Sequence, residues 1–304
     1  MDAVYTWVDG GDPEYRRVRD AWAERLGMVC NPERDRDDLQ LLRYSLRSLE
    51  KYAPWIERIF IATQRPQVPA WLRPDERIRI VHHDEIFRNP EDLPTFNSNA
   101  IDFNLGNIPG LGPQFLYFND DYLLGSKLRP EHVISKQGRP RVYLSRTPIP
   151  EVGQDAWARI LAATGRLLNE QFGVARRGKH EHTPCLLERE LLRCEGEAIR
   201  QTIARRFRGD HDIAFETYQS HMLLESGLGQ RVPPLEYRLR TSFQRLEHDL
   251  DSLPGLLRTL RWKRPRFFCL NDDMGPEPSP LYVERVRDFL ESLYPRPASF
   301  EKIS

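Results

Sequence analysis

Four short runs, Ala3 to Val8, Arg58 to Thr63, Arg77 to Val81 and Phe115 to Phe118, are almost continuously β-branched, aromatic or otherwise apolar. A strand with one wet face would alternate, so runs without alternation predict strands covered on both faces, as in a mostly parallel sheet with helices above and below it. Between the first two runs, Leu39, Leu42, Leu46 and Leu49 recur at helical spacing while Arg43, Arg47 and Glu50 lie off that stripe, which predicts an amphipathic crossover helix. The fold class expected is therefore α/β, with a mostly parallel, Rossmann-like sheet occupying residues 1–150. From about Asp155 to Arg264 the pattern turns helical and rich in Arg, punctuated by Gly173, Gly178, Gly209 and the Pro233-Pro234 pair, so 151–264 reads as a helical insertion or subdomain. Phe267 to Leu270 restores a strand signature. Tyr282, Val283, Val286, Phe289, Leu290 and Leu293 then form one helical stripe before Pro295, so 265–304 reads as a return strand and C-terminal helix.

With 304 residues, 39% of them hydrophobic, the chain can bury a core large enough for one domain or a core plus a subdomain. Lys and Arg total 45 and Asp and Glu total 45, so no net field holds the chain on nucleic acid or an anionic membrane, and any phosphate binding must be local. The four cysteines, Cys30, Cys185, Cys194 and Cys269, include no CxxC pair, which argues against a disulfide framework and a zinc knuckle and for a reducing compartment. The first residues enter a strand-like run without the basic and apolar segments of a signal peptide, and no apolar run approaches a membrane span. The expected location is the cytoplasm, with room for peripheral association at the inner face of a membrane.

In parallel α/β sheets the ligand crevice lies beyond the carboxyl ends of the strands. Three of those ends are rich in acids and amides: Asp9, Gly10, Gly11 and Asp12 after the first strand, Asn119, Asp120 and Asp121 after the Phe115 strand, and Asn271, Asp272 and Asp273 after the Phe267 strand. Hard oxygen ligands at one crevice suit Mg²⁺ bound to a pyrophosphate. Any single cluster is equally explained by turns and helix caps. Gly173 to Lys179 fits GxxxxGK, yet His180 stands where Ser or Thr is needed and no strand precedes it, so a P-loop is discarded.

Whole phrases of the chain resemble the Stealth family. VYTWVDGGDP at 4–13, LRYSLRSLEKYAPWIERIFIAT at 42–63, LPTFNSNAIDFNLGNIPGL at 93–111 and FLYFNDDYLLG at 115–125 look like its first two conserved regions. His182-Thr183-Pro184 and Arg206-Phe207-Arg208-Gly209-Asp210, with Asp212-Ile213, resemble the third, and Phe268-Cys269-Leu270-Asn271-Asp272-Asp273 the fourth. The family includes bacterial capsule polymerases and the catalytic core of the animal enzyme that tags lysosomal glycoproteins with GlcNAc-1-phosphate. The resemblance implies a glycosyltransferase-A-like sheet and transfer of a hexose-1-phosphate, GlcNAc-1-phosphate or similar, from a UDP-sugar (a UDP-HexNAc as first expectation) to a glycan hydroxyl. It also implies help from a divalent metal, Mg²⁺ or Mn²⁺.

Carried over position by position, the resemblance makes Asp2, Asp121, His182 and Arg208 the catalytic set, so the helical insertion would contribute the His and the Arg. Asp2 could equally be a solvated terminal acid. Asp120 and Asp121, together with Asn271 and Asp272, are the candidate metal or diphosphate ligands. His182 is the expected general base, because an imidazole titrating near neutrality can take a hydroxyl proton, and Arg208 the expected clamp on phosphate oxygens. Asp9, Arg43, Arg47, Asn97, Ser98 and Asn119 are candidates for substrate or nucleotide binding. For Arg43 and Arg47 pairing with nearby acids serves almost as well, and for Asn97 and Ser98 a helix N-cap does. Asn99 stands where many members have His, and Asp102 where many have Glu, which bears on donor preference. Two rival functions remain open at this level: a metal-dependent glycosyltransferase that releases UDP, and a catalytically silent glycan-binding member.

Overall fold

The computed structural model describes residues 1–28, 36–193, 196–247, 249–275 and 277–302. In chain order the first half holds β1 (Asp2–Thr6), α1 (Pro13–Leu26), α2 (Leu41–Tyr52), β2 (Arg58–Thr63), β3 (Ile78–His82), α3 (His83–Ile86), α4 (Ser98–Asn104), β4 (Gln114–Asn119), β5 (Tyr122–Leu124) and β6 (Arg141–Val142). The second half holds α5 (Ala156–Phe172), β7 (Cys185–Glu188), α6 (Glu197–Ala204), α7 (Phe215–Glu225), β8 (Gln230–Arg231), α8 (Pro234–Arg240), β9 (Thr241–Leu246), α9 (Leu253–Lys263), β10 (Phe267–Asp272) and α10 (Pro280–Leu293).

The main sheet runs β3-β2-β1-β4-β7, with β1 to β4 mutually parallel and β7 antiparallel at the edge. This is the mostly parallel α/β sheet that the unbroken apolar runs predict. Its alternate residues feed two cores. Val4, Phe60, Ala62, Phe115 and Tyr117 pack with α4, α6 and α7 on one face. Ala3, Tyr5, Ile59, Ile61, Leu116 and Phe118 pack on the other against Leu42, Leu46 and Leu49 of α2. Each of those leucines contributes about 1.5–3 kcal/mol on burial before the entropy of ordering is set against it. Tyr5 stacks on Phe118 across the β1–β4 seam with ring centroids 4.8 Å apart.

The sequence leaves two features unannounced. Segment 151–264, read as a helical insertion, also supplies β7 to the main sheet and β9 to a second one. The return strand β10 does not extend the main sheet but lies between β5, antiparallel, and β9, parallel, in that three-stranded sheet. β5 follows β4 after the turn at Asp120 and Asp121, and it is β5 with which β10 pairs. No helix among the described residues is long and apolar enough to cross a membrane. Cys185 and Cys269 are buried free thiols, while Cys30 and Cys194 lie outside the described residues.

Arg43 and Arg47 of α2 are held by the C-terminal segment. Arg47 donates to both oxygens of Glu301 (2.6 and 2.9 Å), to Glu291 (2.7 Å) and to the Tyr294 carbonyl (2.9 Å), and Arg43 donates to Glu301 (2.6 Å). Glu301 is 1% exposed. Burial alone would raise its pKa, but hydrogen bonds from Arg47, the Ala298 N–H and Arg43 outweigh it and hold the carboxyl below its usual range.

Removing that carboxylate strands two guanidiniums against the core. Glu301→Ala is expected to lose about 3–5 kcal/mol of stability, read from urea denaturation. In the wild type, with the folded-state pKa below the unfolded one, the contribution of Glu301 is complete above about pH 4.3 and is lost as pH falls through the lower folded-state value. A Glu301→Ala variant as stable as the parent contradicts the clamp.

Candidate active site

The strand order reverses between β1 and β4, and there Thr6 stands level with Asn119, its hydroxyl donating to Asn119 Oδ1 at 3.1 Å. Beyond this switch point β4 ends on Asn119, Asp120 and Asp121 form the turn, and β5 begins with Tyr122 beside them. Burial, the Asp121 charge and Asp37 raise the Asp120 pKa well above the carboxylate range. Asp121 is pushed up to about 6, chiefly by burial, although hydrogen bonds from Cys269 and Asn271 pull the other way. Asp37 is raised to about 7 by burial and by the charge of Asp9. These carboxylates are crowded together without enough positive charge, which is what a cation site looks like before its ion is considered.

Asp121, His182 and Cys269 form a possible metal-binding triad whose ligating atoms all lie within 4.8 Å of one another. Asp121 Oδ1 is buried with no hydrogen-bond partner among the described residues. Cys269 Sγ donates to the other oxygen at 3.1 Å, and burial with the neighbouring Asp121 charge raises its thiol well above the usual range. The oxygens of Asp121 and of its neighbours are hard donors, which fit a divalent cation such as Mg²⁺.

His182 sits in a backbone conformation with φ of 39°, unusual for a residue with a side chain and frequent where function fixes geometry. The turn is pinned from behind. Buried His180, lowered to about 4 by desolvation, lies 2.9 Å from the Thr183 carbonyl through Nε2 and 3.2 Å from Ser220 through Nδ1. The His182 ring stacks on Phe243 of β9 (centroids 4.8 Å apart, 25° between planes) and meets the edge of Tyr122.

Arg208 reaches the same site from a loop docked on the start of α4. Asn97 caps that helix through its Oδ1, and its Nδ2 donates to Asp212 at 2.8 Å. Fully buried Asp212 also takes Arg205 (2.7 Å) and the Gly209 N–H (2.9 Å). Phe207 stacks on Phe96, and Arg206 lies over the Trp22 ring. The loop thus held carries exposed Arg208, which donates to Ser98 and whose charge acts on Asp102 and Glu216.

The structure brings Asp120, Asp121, Asn119, Asn271 and His182 together just beyond β4, with Arg208 and Ser98 joined to them through Glu216 and Asp9 through Asp37. Asn97 stands behind them as a cap. Four expected site residues are placed elsewhere. Asp2 lies at the amino end of β1, about 13 Å down the strand at ~3.3 Å per residue, where it takes a bidentate pair from Arg58 (2.7 and 2.8 Å) and the Gly112 N–H (2.8 Å). Asp272 is taken by Arg36 on both oxygens (2.9 and 3.0 Å), leaving little charge for a metal. Arg43 and Arg47 are spent on Glu301. A parallel sheet has two ends, and proximity in sequence to a strand does not say which end a residue serves.

Sequence reasoning missed Glu216. It is raised to about 7 by burial and receives the Tyr122 hydroxyl. Asp102, noted only as a departure from a pattern, lies 3.0 Å from the Tyr117 hydroxyl, and burial with the Glu216 charge raises its pKa well above the usual range. An acid following Asp212-Ile213 on a helix gave no periodic signal; only the inward turn of α7 reveals it.

Three family models match the chain: Stealth protein CR1, conserved region 1, over residues 1–27; Stealth protein CR2, conserved region 2, over 34–142; and Stealth protein CR4, conserved region 4, over 258–304. Curated relatives include an exopolysaccharide phosphotransferase of Streptomyces coelicolor, 38% identical over 99% of this chain and 57% of its own length. The exopolysaccharide phosphotransferase CpsY of Mycobacterium tuberculosis is 34% identical over 100% of this chain and 58% of its own. The chain thus spans between half and three fifths of the relatives' length. Among solved structures, the galactosyltransferase LgtC in complex with donor and acceptor sugar analogues aligns with 96% of both chains at 14% identity and a TM-score of 0.46.

Since Asp212 ties Asn97, Arg205 and Gly209 together, Asp212→Ala is expected to cost about 3–5 kcal/mol and to raise amide exchange across 205–212 before the rest of the molecule opens. Unchanged exchange in that loop counts against Asp212 as its anchor.

Proposed function

Because the chain belongs to the Stealth family, we propose that it moves a hexose-1-phosphate from a UDP-sugar, a UDP-HexNAc in first place, to a glycan hydroxyl and releases UMP. The observation supporting this most directly is the meeting of Asp121 and His182 within 4.8 Å, with Arg208 acting from a docked loop on Glu216, whose charge in turn acts on Asp121. Attack on the β-phosphorus requires a base for the acceptor oxygen and cations around an in-line phosphoryl group. No carboxylate nucleophile beneath the sugar ring is needed.

In this reading His182 takes the acceptor's hydroxyl proton, and its stacking on Phe243 holds the ring in place while it does so. Arg208, exposed and planar, clamps two phosphate oxygens as charge develops on them. Asp120, Asp121 and Asn271 are the residues that would hold Mg²⁺ or Mn²⁺. When bound, such an ion supplies positive charge to the diphosphate. Ser98 fixes the Arg208 guanidinium, and Asn119 holds the Tyr122 side. The sugar's own carbon–oxygen bond stays intact, so anomeric configuration is kept.

A donor labelled in its β-phosphate tests the reading: label is expected in the glycan product as a phosphodiester, with UMP as the released nucleotide. UDP release with an unlabelled glycan would instead establish an ordinary glycosyltransferase, and absence of any turnover across UDP-sugars a binding member. Binding of Mn²⁺, measured by calorimetry without substrate, should weaken at least about tenfold in Asp121→Asn while thermal unfolding stays cooperative. His182→Ala and Arg208→Ala should each lose more in kcat than in donor affinity.

A further inference from the structure

The three-stranded sheet carries a cationic and apolar edge at its end away from Asn271. Thr241 stands level with Phe267, so the C-terminal end of α8, which runs directly into β9, meets the C-terminal end of α9, which precedes β10 by three residues. Glu236 of α8 accepts from Arg266 at 3.2 Å and from Arg141 at 2.7 Å, and the Tyr237 hydroxyl donates to Glu181, which fixes that side of α8 against the molecule. Leu235, Arg238 and Leu239, at the i, i+3 and i+4 positions of one helical face, are left exposed, the leucines to 61% and 59%. On α9, Leu253 and Leu260 are buried, while Arg258 and Trp262, four residues apart, face water, Trp262 to 80%. Lys263 and Arg264 follow it, both exposed, and the Gly125 N–H on the Arg266 carbonyl (3.3 Å) brings exposed Lys127 to the same edge. Arg258, Arg261, Lys263, Arg264 and Arg266 stand between Leu253 and Phe267 with no acid among them, in a chain whose cations and acids number 45 each. Cations in the last turns of α8 and α9 complement the helix dipoles, but that does not account for the large apolar side chains exposed between them.

We propose that this edge docks the protein on a membrane surface bearing anionic lipid, with Leu235, Leu239 and Trp262 entering the boundary between headgroups and acyl chains and the flanking cations meeting lipid phosphates. The charge is complementary to such a surface, and it is local, so a net charge of zero for the whole chain does not oppose it. A soluble polyanion would neutralise Arg238, Arg240, Lys263 and Arg264 but leave the two leucines in water. The lipid boundary takes both kinds of side chain, and tryptophan favours that depth. Asn271 lies at the other end of β10, about 13 Å along the strand from Phe267, so docking by this edge leaves the crevice uncovered.

The test is co-sedimentation of the whole chain with vesicles of phosphatidylcholine alone and of phosphatidylcholine containing about one third phosphatidylglycerol. Binding is expected to the anionic vesicles only, and it should weaken as salt screens the charges. With bromine on the acyl chains, part of the tryptophan emission should be quenched, and that part should vanish in Trp262→Phe. Leu239→Ser combined with Trp262→Ser, and separately Lys263→Glu combined with Arg264→Glu, should each weaken binding at least about tenfold. All four side chains are exposed, so thermal unfolding should match the parent; where a double variant does not fold, its single substitutions replace it. Absence of binding to the anionic vesicles overturns the proposal, as does binding that both double variants retain, which would place the membrane contact elsewhere. Loss in the charge variant alone, with Trp262 unquenched, would assign the edge to a soluble polyanion and overturn it equally. None of these readouts needs a donor, an acceptor or a metal, so the outcome is independent of the phosphotransferase reading.

Discussion

Level, parallel pairing of β1 with β2 on one side and β4 on the other places the strand ends of the main sheet in one plane. Thr6 and Asn119 bond across the seam because the register puts them opposite each other. A slip of one residue would turn Asn119 to the other face and drive Tyr117 out of its core. The polar chain through Asn119, Tyr122 and Glu216, and the placing of Asp120 and Asp121 just past the strand, both depend on that register. The apolar side chains that enforce it, among them Tyr5 stacked on Phe118, carry no chemistry themselves.

Buried charge is handled in two opposite ways. At Glu301, two guanidiniums and a backbone N–H meet one carboxylate, and its pKa falls despite burial. At the crevice, Asp120, Asp121 and Glu216 are raised, with burial the largest cause in each. The first arrangement ties the C-terminal segment to α2; the second keeps carboxylates crowded at a cost in stability. Such a cost persists in a fold when the crowding is useful, and pKa values displaced by burial and like charges gather at working sites.

The middle of the chain delivers its groups by three separate attachments. β7 zips onto β4 and sets the turn bearing His182, Asp212 hooks the Arg208 loop to Asn97, and α7 turns Glu216 inward. Each attachment is satisfied by buried hydrogen bonds or ladder pairing, so side chains far apart in sequence are held to hydrogen-bond tolerance. β9, paired with β10, closes the outer side by laying Phe243 on the His182 ring.

Periodicity and composition alone determined the parallel core, the α2 stripe, the C-terminal helix and the polar character of the strand ends, because burial on two faces leaves a mark at every residue of an element. The FNDD phrase and His182-Thr183-Pro184 were legible only through resemblance to a family, since an Asp pair or a His without its neighbours reads equally well as a turn. Tertiary structure decided which end of the sheet each charge serves. Asp2 is expected from the resemblance to be catalytic and Asp272 to be a metal ligand, yet Arg58 and Arg36 claim them, and Arg43 and Arg47 are drawn to Glu301, more than 250 positions away. Glu216 enters the site for the complementary reason: a single acid on an apolar helix face is silent in sequence. It becomes part of the site only when folding removes its water and leaves the Tyr122 hydroxyl as its partner.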